Sequence, residues 1–185
     1  MRPGLLALCL LLGASAARAD EEPFTFPAYG GLVSAGVAAG GVPFDGSLRG
    51  GVGPDFELGY HAGRLEMMTV VSGVRGGAGD TALIGFTLGV TYGSIPREQG
   101  ATALWASLGA GGQWHQRDGV ADPARPVMIG ELGVRSLRFD RVGGAGLAFT
   151  VRVTAGHPFE ATCGCARYEV GVLAVVGFAL EYARP

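Results

Sequence analysis

Apolar residues alternate with small or charged residues through the last part of the chain. One set of alternate positions is wholly apolar or aromatic and runs Tyr168, Val170, Val172, Ala174, Val176, Phe178, Leu180 and Tyr182. The positions between them are mostly glycine, alanine or charged residues. Because successive side chains of a strand point to opposite faces, this period of two predicts a β-strand with one apolar face. The run also falls short of the ~20 apolar residues that a membrane helix needs.

The same alternation recurs along the chain and predicts eight strands. They cover residues 29–39, 55–62, 64–75, 81–93, 101–115, 127–138, 145–155 and 167–182. On the clearest of them, one face is apolar and the other carries glycine, hydroxyl and charged residues. An apolar face toward lipid and a polar face toward a lumen are typical of bacterial membrane barrels, which have an even strand count. We therefore predict an all-β fold, an eight-stranded antiparallel up-and-down transmembrane β-barrel over residues 29–182.

The first residues of the chain predict a secretory signal peptide over residues 1–19. Arg2 precedes an apolar run, Leu5 to Leu12, and small residues end the segment at Ala19. This order of a positive residue, an apolar core and a small-residue site is the pattern that signal peptidase cleaves. The acidic, proline-containing segment 20–28 is expected to be a flexible periplasmic lead-in to the barrel.

Composition restricts the possible partners and supports a narrow barrel. Glycine supplies 34 of 185 residues, far above the average of about 7%, and glycine in a strand marks a place where a side chain does not fit. Without the signal peptide, twelve arginines stand against sixteen acidic residues, a net charge of −4, and the chain has no lysine. This balance argues against a nucleic-acid partner.

Three of the connections between predicted strands are long. They cover residues 40–54, 116–126 and 156–166. If both ends of the chain lie in the periplasm, all three face the exterior, where the longer loops of such barrels belong. Loops on a rigid scaffold commonly carry binding function, so we expect any extracellular partner to contact these loops. Their composition does not identify that partner.

The pattern resembles the small eight-stranded outer-membrane β-barrels of Gram-negative bacteria, which include OmpA transmembrane domains, OmpX and the opacity-type proteins. Val176, Phe178, Leu180 and Tyr182 also resemble the C-terminal strand that the barrel-assembly machinery reads in this family. The resemblance implies an outer-membrane location, contact with outer-membrane lipid and assembly by that machinery. It implies no cofactor, and it covers residues 29–182.

Charged residues on the predicted inner faces suggest a plug in the lumen. Glu131, Arg152 and Glu169 fall on the last three strands at similar distances from the exterior loops. We hypothesise that they form a Glu–Arg–Glu network, because one guanidinium can serve two carboxylates. Further charged side chains on inner faces that can join this network are Arg135, Glu57 and His61. A structural role, filling the lumen, is favoured over catalysis or proton transfer.

Two cysteines lie close together in the last exterior loop. Cys163 and Cys165 are separated by one glycine, and outside the cytoplasm such thiols oxidise, so a Cys163–Cys165 disulfide is a possible loop clip. An intermolecular bond is the alternative. A soft-metal site that recruits His157 is a weaker interpretation, and we predict no metal site.

Two other functional classes compete with a non-enzymatic membrane barrel. Outer-membrane lipid A deacylases use a Ser–His–acid triad on the outer face of a small barrel, but His61, His115 and His157 lack their His-x-Ser strand pattern. His115 follows Trp114 and is more simply interpreted as a residue at the membrane interface. We predict no enzymatic activity. The other class is a soluble lipocalin-like barrel that binds an apolar ligand, which requires an apolar interior.

Overall fold

A computed structural model describes residues 29–44, 47–77, 79–92, 100–139, 143–157 and 168–184. These residues form nine strands: β1 (Tyr29–Phe44), β2 (Ser47–Ala62), β3 (Leu65–Gly76), β4 (Gly79–Tyr92), β5 (Gly100–Arg117), β6 (Val120–Ala121), β7 (Arg125–Phe139), β8 (Gly143–Gly156) and β9 (Glu169–Arg184). In this part of the chain no helix is long and apolar enough to cross a membrane. The predicted signal peptide and lead-in, residues 1–28, lie outside the described residues.

The long strands close into an antiparallel up-and-down barrel. Each pairs with the next along the chain, β4 pairs with β5, β5 pairs with β7, and β1 completes the ring by pairing with β9. The two-residue β6 only extends the β5 hairpin. The predicted eight-stranded all-β barrel is therefore confirmed. Tyr29 pairs with Arg184, so β1 begins where β9 ends. We call this the terminal end of the barrel and the opposite one the loop end.

Alternation along each strand sorts side chains between the outside and the lumen. On β4, Ile84 and Phe86 are about half exposed, whereas Leu83 and Thr87 are buried. Strand β3 shows the same alternation, with Leu65 outward and Glu66 inward. Large apolar side chains consequently cover the outside of all eight long strands.

The outer surface has the dimensions of a bilayer core. The outward residues of β4 run from Ala82 to Tyr92, about 33 Å along the strand and roughly 25 Å in height at a tilt of about 40°. At the terminal end, Tyr60 and Tyr182 are both register partners of Gly31. Together with Tyr92 they form an exposed tyrosine girdle, as expected where a barrel meets a membrane–water interface.

Two of the three predicted long loops are mostly strand. In place of a loop over 40–54, β1 continues to Phe44 and β2 starts at Ser47. In place of a loop over 116–126, Arg117 pairs with Val120 across a tight turn that includes Asp118 at φ 51°. The glycines and prolines of these two segments still lie in or beside strands, because the two arms of each hairpin pair with each other. The third loop lies almost wholly outside the described residues, from 158 to 167.

Glycine brings the strands close together at the seam where the barrel closes. Gly36 of β1 pairs with Gly177 of β9 on one side and with Asp55 of β2 on the other. A Cβ atom at Gly36 would lie 2.3 Å from the Val176 carbonyl oxygen, far inside van der Waals contact. The high glycine content therefore has a direct steric role at this seam.

Candidate functional site: the charged lumen

One arginine organises the middle of the lumen. Arg152 of β8 is fully buried and reaches across to β2. Its guanidinium donates to Asp55, to Glu57 Oε1 at 2.9 Å and to Glu131 Oε1 at 2.6 Å. It also donates to Ser72, which donates to Asp55 in turn. Among the described residues, three buried carboxylates thus share one guanidinium. We call Asp55, Glu57, Glu131 and Arg152 the central cluster.

Hydroxyl groups supply further hydrogen bonds to the carboxylates of the central cluster. Ser107 donates to Glu131 Oε2 at 2.8 Å, and Thr87 donates to the same oxygen at 3.2 Å. The Ser107 contact follows from register, because Ser107 and Glu131 are direct partners on β5 and β7. Burying carboxylates is costly unless they are paired and hydrogen-bonded. The hydroxyls therefore belong to the charged site as much as the arginine does.

A second buried ion pair lies in the lumen toward the terminal end. Arg135 of β7 donates two parallel hydrogen bonds to Glu66 of β3, at 2.9 and 2.7 Å. Thr91 also donates to Glu66. The Arg135 guanidinium lies 4.9 Å from the centre of the buried Trp105 ring, within the range of a cation–π contact. The forked geometry fixes both side chains relative to each other.

Two further pairs lie near the ends of the barrel. At the loop end, Arg125 donates to Glu169 at 2.8 Å and to Gln113 at 2.7 and 3.1 Å. At the terminal end, His61 Nε2 lies 3.1 Å from Glu181 Oε1. His61 Nε2 nevertheless has no hydrogen-bond partner among the described residues, so this contact is a close approach only.

The structure groups the charged residues differently from the sequence-based hypothesis. Arg152 contacts Glu131 and Glu57, but Glu169 pairs with Arg125 instead. The register explains this: Arg152 is level with Leu173, four residues along β9 from Glu169, or about 13 Å. Comparing positions along separate strands ignores the stagger of a tilted barrel.

Sequence reasoning did not assign Asp55, Glu66 or Arg125 to the site. Asp55 precedes the apolar Phe56, and Glu66 lies between Leu65 and Met67, so the alternation itself assigns both carboxylates to inner faces. Arg125 lay inside a predicted loop, so its face could not be assigned. Which inward residues meet across the lumen depends on how the barrel closes. The alternation along a strand carries no information about the distance between side chains on opposite sides of the barrel.

The structure does not support a metal site at the remaining candidate residues that it describes. Cys163 and Cys165, the proposed disulfide, lie outside the described residues. His157 is exposed and packs against Tyr168, with ring centres 5.4 Å apart. The described residues contain no cluster of histidine, cysteine and carboxylate groups suited to a metal ion.

The interpretation of His115 as an interface residue is wrong. Its side chain is only 1% exposed and points into the barrel, where Nδ1 lies 3.1 Å from the Thr81 hydroxyl. His115 pairs in register with Thr81, an inward residue of β4, so it shares that face. The preceding residue, Trp114, points outward instead and lies over Gly112. An outer-face triad built on His115 is therefore geometrically impossible.

Buried apolar side chains also line the lumen and form separate clusters. Leu32, Met68 and Leu137 belong to one cluster, and Ile129 belongs to another. Two small spaces near the loop end each have room for about one water. An eight-stranded barrel has an interior just wide enough for side chains, and these ion pairs and apolar clusters lie within it.

The outward apolar surface, the polar lumen and the closed ring define a transmembrane β-barrel. The interior is the reverse of what a soluble lipocalin-like barrel needs, because the buried side chains include many charged and hydroxyl groups. The fold is that of the eight-stranded outer-membrane barrels.

Comparison with solved structures supports that class. The structure of Neisserial surface protein A (NspA) matches with a TM-score of 0.57 at 11% identity, covering 83% of this chain and 97% of that one. The N-terminal β-barrel domain of Pseudomonas aeruginosa OprF matches with a TM-score of 0.45 at 9% identity, covering 84% and 98%. No family model and no curated protein matches the sequence. Of the two, NspA supports the fold assignment.

Proposed function

We propose that the protein is an integral outer-membrane β-barrel without enzymatic activity, which supports the envelope and contacts its surroundings through the loop end. One observation carries the proposal: apolar side chains cover the outside of every long strand, while the inside holds buried ion pairs. Such a surface is stable only in lipid. Assembly by the barrel-assembly machinery follows from the apolar C-terminal strand β9.

The loop end supplies a possible contact surface. Leu48 near the tip of the β1–β2 hairpin is 61% exposed, and Val120 of β6 is 70% exposed. Both tips also carry charge, at Arg49 and Arg117. This mixture supports a surface-binding role as a second candidate beside a purely structural one.

The two roles predict different results in cells that lack the protein. If the role is structural, the wild type and the double variant Leu48→Ser, Val120→Ser will restore detergent resistance equally. If the tips contact a partner, only the wild type will restore it. The variant must first reach the outer-membrane fraction at wild-type levels, and failure of both proteins to restore resistance would contradict an envelope role.

Membrane insertion predicts that an arginine on the outer face is tolerated only away from the bilayer centre. Phe86 is half exposed near the middle of β4. We expect Phe86→Arg to lower the free energy of unfolding in lipid by about 2 to 4 kcal/mol, and Leu48→Arg by about 1 kcal/mol or less. Urea unfolding in lipid vesicles measures both. Equal, small costs at the two positions would argue that Phe86 does not face lipid.

A filled lumen predicts that the protein does not conduct ions. Reconstituted wild-type protein should give no conductance steps in a planar bilayer, because the Arg135–Glu66 pair and the central cluster occupy the interior. Co-flotation with lipid vesicles and a heat-dependent shift in gel mobility verify that the preparation is inserted and folded. Stable conductance steps from such a preparation would refute a plugged lumen.

A further inference from the structure

Exposed arginines at the two ends of the barrel have different partners. Near the loop end, Arg75 donates two hydrogen bonds to Asp80, and Arg117 lies 3.4 Å from Asp118. At the terminal end, Arg64 is also exposed, but it belongs to none of the ion pairs in the described part of the chain. The charge of Arg64 is therefore not neutralised by a carboxylate of these residues.

A tight turn fixes the backbone of Arg64. Ala62 pairs with Leu65, so only Gly63 and Arg64 connect β2 to β3. Gly63 has φ 59°, the left-handed conformation that two-residue hairpin turns favour. The Arg64 carbonyl oxygen also accepts a hydrogen bond of 2.8 Å from the Thr91 amide of β4. Arg64 is thus held by three neighbouring strands.

An aromatic ring positions the side chain of Arg64. The guanidinium carbon lies 5.7 Å from the centre of the Tyr92 ring, within the range of a cation–π contact. Such a contact orients the guanidinium without an oxygen acceptor, so its N–H groups can still donate to one. Tyr92 belongs to the exposed tyrosine girdle. The charged group therefore lies where the barrel meets the membrane–water interface.

Carboxylates at this end of the barrel point into the lumen. Glu66 and Glu181 each lie against a basic side chain inside the barrel. Among the side chains that the structure describes, the charged ones outside the lumen at the terminal end are Arg64 and Arg138. This rim is therefore positive, and its charge is complementary to an anionic lipid headgroup, which presents phosphate oxygens at the same depth.

We propose that Arg64 and Tyr92 form a binding site for an anionic phospholipid in the leaflet at the terminal end. The guanidinium donates to the phosphate oxygens, and the Tyr92 ring orients it. The acyl chains pack on Leu65 and Val90, an exposed register pair next to the turn. The inference rests on the membrane insertion proposed above and adds a preference among lipids, which insertion by itself does not require.

Native mass spectrometry of the folded protein in detergent measures this preference. The protein is titrated with phosphatidylglycerol or with phosphatidylcholine of the same acyl chains. We expect the first phosphatidylglycerol to bind about fivefold more tightly, the effect of one arginine near an anionic headgroup. Arg64→Gln should make the two lipids bind equally. Equal binding to the wild type, or an unchanged preference in Arg64→Gln, would overturn the site.

Two matched variants separate a built site from a generally positive rim. Arg138→Gln removes the same charge from the same end and should keep the preference for phosphatidylglycerol. Tyr92→Leu should weaken the preference, whereas Tyr60→Leu, which removes another tyrosine of the girdle, should not. Equal losses in Arg64→Gln and Arg138→Gln, or in the two tyrosine variants, would show diffuse attraction and contradict the proposal.

Competition with inorganic phosphate distinguishes a lipid headgroup from a free anion. Phosphate in excess should displace little phosphatidylglycerol beyond what acetate displaces at the same ionic strength, because it has no acyl chains to pack on the barrel. Full displacement would assign the site to a free anion and refute a lipid site.

Flotation with vesicles of phosphatidylcholine alone tests insertion separately. We expect the wild type and Arg64→Gln to float equally, because the apolar outer surface carries insertion. Wild-type protein that floats but shows no lipid preference would refute the site and leave membrane insertion standing. Failure of the wild type to float would overturn membrane insertion and the site with it.

Discussion

Replacing Arg152 by methionine will destabilise the barrel by about 3 to 5 kcal/mol, the cost of leaving buried carboxylates without their counter-charge. Arg152 is fully buried and contacts Asp55, Glu57 and Glu131. Methionine fills much of the volume but donates no hydrogen bond. Urea unfolding in lipid or detergent measures the loss, with the gel-mobility shift as a check on closure.

An exposed arginine provides the matched control for this substitution. Arg75 pairs with Asp80 at 2.8 Å on the outside near the loop end, and its side chain is 81% exposed. Exposed pairs contribute about 0 to 1 kcal/mol, so Arg75→Met should have little effect. A loss at Arg152→Met no larger than that at Arg75→Met would show that the central cluster does not stabilise the fold.

The excess of carboxylates also predicts an asymmetry within the central cluster. Glu57→Gln removes one of three negative groups and keeps a side chain of similar size, so its cost should be well below that of Arg152→Met. Adding Glu57→Gln and Glu131→Gln to Arg152→Met should recover part of the lost stability, because fewer unpaired charges remain buried. Additive losses in the triple variant would contradict this account.

Introducing a side chain at Gly36 will prevent the barrel from closing. A Cβ atom there would lie 2.3 Å from the Val176 carbonyl oxygen and 2.6 Å from the Gly177 Cα. Overpacking against flexible side chains costs about 1 to 3 kcal/mol, but these obstacles are backbone atoms of the pairing strand. We therefore expect Gly36→Val to yield no heat-modifiable, folded species.

Gly31 gives the matched control on the same strand. The nearest atom to a Cβ at Gly31 is 4.0 Å away, which is ordinary contact, so Gly31→Val should fold and shift in mobility like the wild type. Both variants are refolded into detergent and run with and without heating. A normal shift in Gly36→Val would mean that β1 and β9 can separate at this point without losing the barrel.

Hydrophobic alternation alone determined the fold class, the location of most of the long strands and the face of most of their side chains. Phe86 and Thr87 illustrate why: in a two-faced strand, neighbouring residues must point to opposite sides, so composition assigns the faces. The same reasoning placed Glu57, Glu131 and Arg152 inside. The same reasoning underestimated the length of β2, because the glycine-rich start of that strand resembles a loop until its hairpin partner is known.

Tertiary structure alone decided which charges meet. Arg152 and Asp55 are separated by 97 positions in the sequence, and their contact exists only because β1 closes on β9. Because the tilted strands are staggered, Glu169 lies far from Arg152 and forms its ion pair with Arg125. A strand pattern specifies faces, which are local properties. Partners across a lumen depend on ring closure and stagger, which belong to the whole barrel.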